Sequence, residues 1–247
     1  MDLGLRERVY VLTGATKGLG RATADALVAD GARVAVSSRS QESVDAALSS
    51  LGDNARGIAA DNADPTTAER LARLALDTWG RLDGALVSVG GPPGTPALGA
   101  TDEQWRDAFE SVFLGAIRVA RAVVPHLNEG SAIGLVLSTS SKSPIGGLEI
   151  SNGLRPGLAM WSKMLADELG PKGIRVFAML PGRVLTERTL SLTPDAADRD
   201  RIAEAIPLRR YGQPEEFGRT GAFLLSPAAS YLTGLVVPVD GGALRTL

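Results

Sequence analysis

The chain has 247 residues, 44% of them apolar and 22% charged, with a formal net charge of -2; that length fits one large α/β domain, and the balance is ordinary for a soluble globular protein. Lys and Arg are scattered, no apolar run approaches the roughly 20 residues of a membrane-spanning helix, and the N-terminal residues carry no signal-peptide pattern, so neither nucleic acid nor membrane is an expected partner and the cytoplasm is the expected location. With no cysteine and a single histidine, His126, at the end of a helical pattern, thiol chemistry and disulfides are excluded and no metal site is expected. The first β-branched run, RVYVLTG (8–14), is followed by a helical pattern near 21–30, then RVAVSS (33–38) and a helix over 41–51. ARGIAAD (55–61), a helix near 66–79, LDGALVSV (82–89) and a helix near 102–127 continue the alternation. AIGLVLS (132–138), a helix ending at 169, IRVFAML (174–180) and LVVPVDG (235–241) complete it. Apolar strands separated by helices of about ten or more residues predict βαβ units, a parallel sheet and helices on both of its faces. The polar, helix-punctuated stretch near 185–207 reads as a lid-like insertion over the sheet edge, within one domain of residues 1–247.

The first strand runs directly into Thr13-Gly14-Ala15-Thr16-Lys17-Gly18-Leu19-Gly20 and then a helix. Glycines in a strand–turn–helix context allow a tight turn and close approach of backbone to a pyrophosphate, with the helix N-terminus supplying N–H groups and positive dipole. Gly14, Thr16, Lys17, Gly18, Leu19 and Gly20 are therefore the candidate phosphate-binding residues of a Rossmann unit. The second strand ends in Ser38-Arg39 without the acidic residue that would hold a ribose 2'-hydroxyl. Arg39, with Lys17, suits a 2'-phosphate instead, so NADP(H) is expected over NAD(H). Asp61, next to Asn62 after the third strand, is placed for the adenine amino group and equally for an Asx turn.

These residues, in this order, resemble the short-chain dehydrogenase/reductase family, particularly its ketoacyl-carrier-protein-reductase-like members. The Gly-rich turn, ELGPKGIRV (168–176) with Leu180-Pro181-Gly182, and PLRRYGQPEEFGRTGAFLLSPAASYLTGLVVPVDGG (207–242) carry the resemblance, which covers essentially the whole chain. It implies a single doubly wound Rossmann domain of about seven strands, a homotetramer or homodimer, and hydride passage between NAD(P)H and a small-molecule or carrier-bound carbonyl. It also implies cofactor contacts at Gly90, Pro181, Gly182 and Thr186, the last toward the carboxamide.

The family's chemistry uses an Asn, a Ser, and a Tyr with a Lys four residues later on one helix face. Aligning ELGPKGIRV without gaps puts Ser151 in the place of the Tyr and Arg155 in the place of the Lys, while Val112 takes the place of the Asn. An alkyl alcohol is a far weaker acid than a phenol, and arginine stays charged but is planar and bulky. For the Ser, strand alignment favours Ser141, whereas counting back from position 151 gives Ser138. Pro156 belongs in a first helical turn, which predicts a helix starting no earlier than about Gly153, with Ser151 outside it. Lys163 has Ala159 four residues before it and is not a displaced catalytic lysine; Trp161, Leu165 and Leu169 form an apolar stripe suited to core or subunit contact.

Three readings follow. In one, an NADP(H)-dependent carbonyl reductase or alcohol dehydrogenase works through Ser141, Ser151 and Arg155 without the usual Tyr/Lys pair. In another, the chain binds NADP(H) without turnover, in regulation or assembly. In a third, Arg155, Arg183 and Lys142 hold an anionic substrate for another reaction.

Overall fold

A computed structural model describes residues 2–246; Met1 and Leu247, at the limits of the expected 1–247 domain, lie outside the described residues. Seven strands, β1 (Val9–Leu12), β2 (Arg33–Ser38), β3 (Ala55–Ala59), β4 (Gly84–Ser88), β5 (Ala132–Val136), β6 (Arg175–Pro181) and β7 (Leu235–Val239), form one sheet in the order β3-β2-β1-β4-β5-β6-β7. Every pairing is parallel. The strand order reverses between β1 and β4, which leaves a crevice at their C-terminal ends.

The helices cover both faces because the central strands are apolar throughout: all four residues of β1 and all five of β4 and β5 are buried. On one face α3 (Thr67–Trp79), α5 (Gly115–Val123) and α6 (Glu149–Leu169) pack through Leu71, Val119, Leu158 and Leu169. On the other, α1 (Gly18–Ala29), α2 (Gln41–Leu51) and α9 (Pro214–Leu225) pack through Leu27, Leu51, Phe217 and Leu225. Two glycines set the spacing between helices. A Cβ at Gly218 would lie 2.2 Å from the Ala22 carbonyl oxygen, so α1 and α9 touch backbone to backbone there. A Cβ at Gly153 would lie 2.5 Å from the Trp105 ring, which seats α6 against α4 (Asp102–Ala108).

The helix expected over 102–127 is interrupted: α4 ends at Ala108, Phe109–Leu114 form a π-turn, and α5 resumes at Gly115. Such turns concentrate where a helix must re-aim residues at a site. The 185–207 stretch contains α7 (Glu187–Leu192) and α8 (Ala196–Ala205). It does not sit only at the sheet edge. Thr186 and Glu187 meet the Gly-rich turn of the central strand β1, whereas Ile206 and Leu208 reach Gly241 beyond the edge strand β7.

Candidate active site

The Gly-rich turn fits a dinucleotide. Gly14 has φ of 56°, and a Cβ on it would lie 2.3 Å from the Ser88 carbonyl oxygen; one on Gly20 would lie 2.6 Å from the Gly14 carbonyl oxygen. Only glycine satisfies both approaches. Lys17 occupies the N-cap of α1 without capping it, so no side chain at that position accepts the first-turn amides, which leaves them as anion ligands. Gly18 also takes positive φ and faces Thr186, Leu19 is partly buried beside it, and Thr16 is buried. At the end of β2, Ser37 is buried with a hydroxyl that lacks a hydrogen-bond partner, Ser38 is partly buried and Arg39 is exposed. The group is two hydroxyls and one guanidinium with no carboxylate, a donor set for phosphate.

The other expected positions stand at or beyond the C-terminal ends of β3, β4 and β6, with some side chains already engaged. Asp61 Oδ1 accepts from the Ala63 amide at 2.9 Å, an Asx turn, and Asn62 packs against Gly115 at the start of α5. Thr186 Oγ1 caps α7 by accepting from the Thr189 amide at 3.2 Å. A Cβ on Gly182 would strike Asp240, so the turn after Pro181 needs glycine to pass β7. Around Gly90 a Cβ would meet nothing within 4 Å, which marks open space beside the strand ends.

The expected late start of α6 is wrong. The helix begins at Glu149, carries Ser151 and Arg155 on one buried face and continues through Pro156. Proline removes one intrahelical hydrogen bond and crowds the Asn152 carbonyl, but four tertiary contacts hold the turn ahead of it. Glu149 accepts from the Ala100 amide at 2.6 Å, and Ile150 is fully buried. Asn152 makes two hydrogen bonds with the Ile145 backbone, at 2.9 and 3.0 Å, and Ser151 bonds into the β5 turn. Tertiary packing overrides local preference here. Gly153 and Gly157 allow close approach of Trp105 and Phe113 rather than loosening the helix.

Neither serine singled out in the 138–141 turn meets Ser151. Ser140 does, with its Oγ 3.0 Å from Ser151 Oγ, both residues being buried. Ser138 is consumed as the cap of the 3₁₀ turn Thr139–Ser141, accepting from the Ser140 amide at 3.1 Å, and Ser141 Oγ is buried without a partner. The turn rotates successive side chains by about a third of a circle, which is why a count along the strand missed Ser140.

Arg155 is only 5% exposed. Its Nη1 donates to the Val136 carbonyl at 3.0 Å and its Nη2 makes a longer 3.5 Å contact to the Val89 carbonyl. Burial, with the charge of Arg188 adding to it, pushes its pKa down to about 10, so it is a cation at neutral pH. Behind it a cavity of about 10 Å³, lined by Val87, Val112, Leu135 and Leu158, has room for one water at most. Val112 thus stands on the π-turn at the rear of the site and contributes no polar atom. Lys163 donates to the Gly234 carbonyl at 2.8 Å, away from this group, and His126 is exposed at a helix end. The three tyrosines are not in place of the phenol: Tyr10 is in the core on the Leu225 carbonyl, Tyr211 is buried with no hydrogen-bond partner, and Tyr231 is fully exposed.

Arg188, not singled out from sequence, is the residue the fold adds. From α7 its Nη2 donates to the Pro92 carbonyl at 2.8 Å, and its guanidinium covers Gly91. Lys142 is exposed and Arg183 partly buried; neither makes a side-chain hydrogen bond or ion pair in the described structure.

A family model described as Enoyl-(Acyl carrier protein) reductase matches residues 14–243. The chain is 33% identical over 248 residues to Dehydrogenase/reductase SDR family member 4 of Oryctolagus cuniculus, covering 97% of this chain and 94% of that protein. It is 32% identical over 245 residues to a 3-oxoacyl-(acyl-carrier-protein) reductase of Synechocystis sp., covering 96% and 97%. Among solved structures, the L-sorbose reductase of Gluconobacter frateurii in complex with NADPH and L-sorbose superposes with a TM-score of 0.93 at 30% identity over 100% of both chains. A 3-2-1-4-5-6-7 parallel sheet, a glycine turn at its switch point and relatives matched along nearly their whole length lead to one conclusion: the chain belongs to the short-chain dehydrogenase/reductase family.

Proposed function

We propose that the chain binds NADP(H) and exchanges hydride with a carbonyl or alcohol carbon, using Ser151, Ser140 and Arg155 where its family uses a phenol and an ammonium. The observation that carries this reading is the unbroken α6: it puts Ser151 and Arg155 one turn apart on one buried face, with Ser151 Oγ 3.0 Å from Ser140 Oγ. Dihydronicotinamide supplies a hydride to the carbonyl carbon, and the chain has to hold the carbonyl oxygen and deliver one proton to it. Within the pair one hydroxyl donates to the other, which leaves a single O–H to donate to that oxygen, and the proton it delivers is replaced along the pair. The fixed charge of Arg155 favours the developing alkoxide in a water-poor site. Without a phenolic acid, proximity and electrostatics carry most of the acceleration.

Preference for NADP(H) is supported by Ser37, Ser38 and Arg39 at the end of β2, with no carboxylate, and by the NADPH bound to the sorbose reductase. Ser141 has no hydrogen-bond partner and keeps no role in the scheme. Exposed Phe109, Met160 and Met164 on the adjoining π-turn and α6 suit a subunit contact, consistent with a cytoplasmic homodimer or homotetramer.

A second reading, cofactor binding without turnover, has one observation in its favour: no tyrosine hydroxyl reaches the site. Titration of NADPH and NADH by nicotinamide fluorescence, followed by NADPH oxidation over a panel of carbonyl compounds, separates the two. The expected result is tighter binding of NADPH, weakened about 10–100-fold in Arg39→Ala, and turnover of some carbonyl. Tight binding with no turnover of any would leave the second reading.

A further inference from the structure

Three consecutive residues at the head of α7 touch the two turns that follow β1 and β4. A Cβ on Gly18 would lie 3.7 Å from Thr186 Cγ2, Lys17 Nζ donates to Glu187 Oε2 at 3.2 Å, and Arg188 Nη2 donates to the Pro92 carbonyl at 2.8 Å. Thr186 also caps α7, so the backbone at Glu187 is anchored on both sides. The carboxylate is therefore held beside the Gly-rich turn by its neighbours as well as by Lys17, 170 positions away in the chain.

This pairing takes up one of the two cations that suit a 2'-phosphate. Arg39, the other, is exposed and forms no ion pair with a carboxylate among the described residues. Lys17 stands at the N-cap of α1, where no side chain accepts from the first-turn amides. A phosphate that approaches Lys17 meets an ammonium whose charge is already opposed, with a second negative charge beside it. Both partners of the pair are largely exposed, so it contributes little to the fold. Its consequence falls on whatever competes for Lys17.

We infer that Glu187 is a specificity-determining residue: from the lid its carboxylate competes with the 2'-phosphate of the cofactor for Lys17, which weakens NADP(H) and narrows its preference over NAD(H). NADH carries the pyrophosphate without the 2'-phosphate, so the competition acts on one dinucleotide and spares the other. As the first residue of α7 the carboxylate also suits the positive end of that helix, but a role confined to α7 does not discriminate between the two cofactors. The specificity role rests on the NADP(H)-binding reading above.

The test titrates NADPH and NADH, by nicotinamide fluorescence at low ionic strength, into the unaltered protein, Glu187→Gln, Lys17→Met and the double variant. Glu187→Gln should bind NADPH about 3–10-fold more tightly while NADH stays within about twofold. The gain should shrink to about twofold or less at about 0.5 M salt. In the Lys17→Met background, where NADPH is already weaker, Glu187→Gln should change it by no more than about twofold. Exposed positions leave all the variants folded, which thermal unfolding by circular dichroism checks. Unchanged or weaker NADPH binding in Glu187→Gln overturns the inference. An equal gain for NADH, or the full gain in the Lys17→Met background, overturns it as well, because the carboxylate then acts on another phosphate or through another cation. Failure of the unaltered protein to bind NADPH, or tighter binding of NADH, strikes the underlying reading and the inference with it, and shows before any variant is made.

Discussion

Replacing Arg155 by methionine should make the protein more stable while removing its turnover. The guanidinium is 5% exposed and sits on two neutral carbonyls, and burial lowers its pKa from the ordinary arginine value to about 10. At about 1.4 kcal/mol per unit, carrying that charge into the fold costs about 3 kcal/mol. Methionine removes the charge and fills much of the volume. The carbonyls of Val136 and Val89 lose their partners at about 1 kcal/mol each. The net gain is about 1 kcal/mol, a rise of about 2–4 °C in Tm for a chain of this size. The sign of the pH dependence follows from a base whose folded pKa lies below its unfolded one. The penalty is complete below about pH 10 and is relieved only as the pH climbs above it. The gain should therefore be the same at about pH 6 as at about pH 9. Thermal unfolding without cofactor, followed by circular dichroism at both pH values, measures it. A drop in Tm of several degrees in Arg155→Met would refute the claim that this charge is uncompensated.

Three further outcomes are expected. Pro156→Ala should gain about 2 kcal/mol, from about 3 for an interior helix proline less about 1 for the freer unfolded chain; a lower Tm would show that the ring is needed for packing. Ser140→Ala should reduce turnover about 10²-fold or more while Ser141→Ala stays within about twofold, and the reverse order in steady-state kinetics would return the role to Ser141. Glu216, hydrogen-bonded first to Arg210 and then to the Gln213 amide, has its pKa lowered from 4.5 to about 2. Its stabilisation is present above pH 4.5 and lost as the pH falls through about 2, so Glu216→Gln should flatten the acid limb of unfolding; parallel limbs would contradict this.

The scaffold was legible in the sequence because its signals are local and mutually consistent. Buried strands such as Gly84–Ser88 are apolar runs, and the Gly14–Gly20 turn is forced by backbone contacts that no side chain could share. The site was less legible because it depends on contacts distant in sequence. The proline rule at Pro156 was sound locally, yet Ser140 and Ile145 in the connection from β5, and Ala100 ahead of α4, hold the preceding turn. Ser140 was missed by a rotation of the 3₁₀ turn that the strand pattern does not encode. Arg188 gave no signal beyond being one charged residue in a charged stretch, since its meaning comes from Gly91 and Pro92, more than ninety positions earlier.

The central claim is that Ser151 and Arg155, on an unbroken helix, form a working hydride-exchange site. The most direct measurement is transfer of deuterium from 4-deuterated NADPH to a carbonyl panel that includes neutral ketones and 2-oxo acids, read by mass spectrometry of the alcohol product. The account predicts one deuterium in the product per NADPH consumed, with the rate lowered at least about 10²-fold in Ser151→Ala. NADPH binding without deuterium in any product, or equal rates in Ser151→Ala, would contradict it.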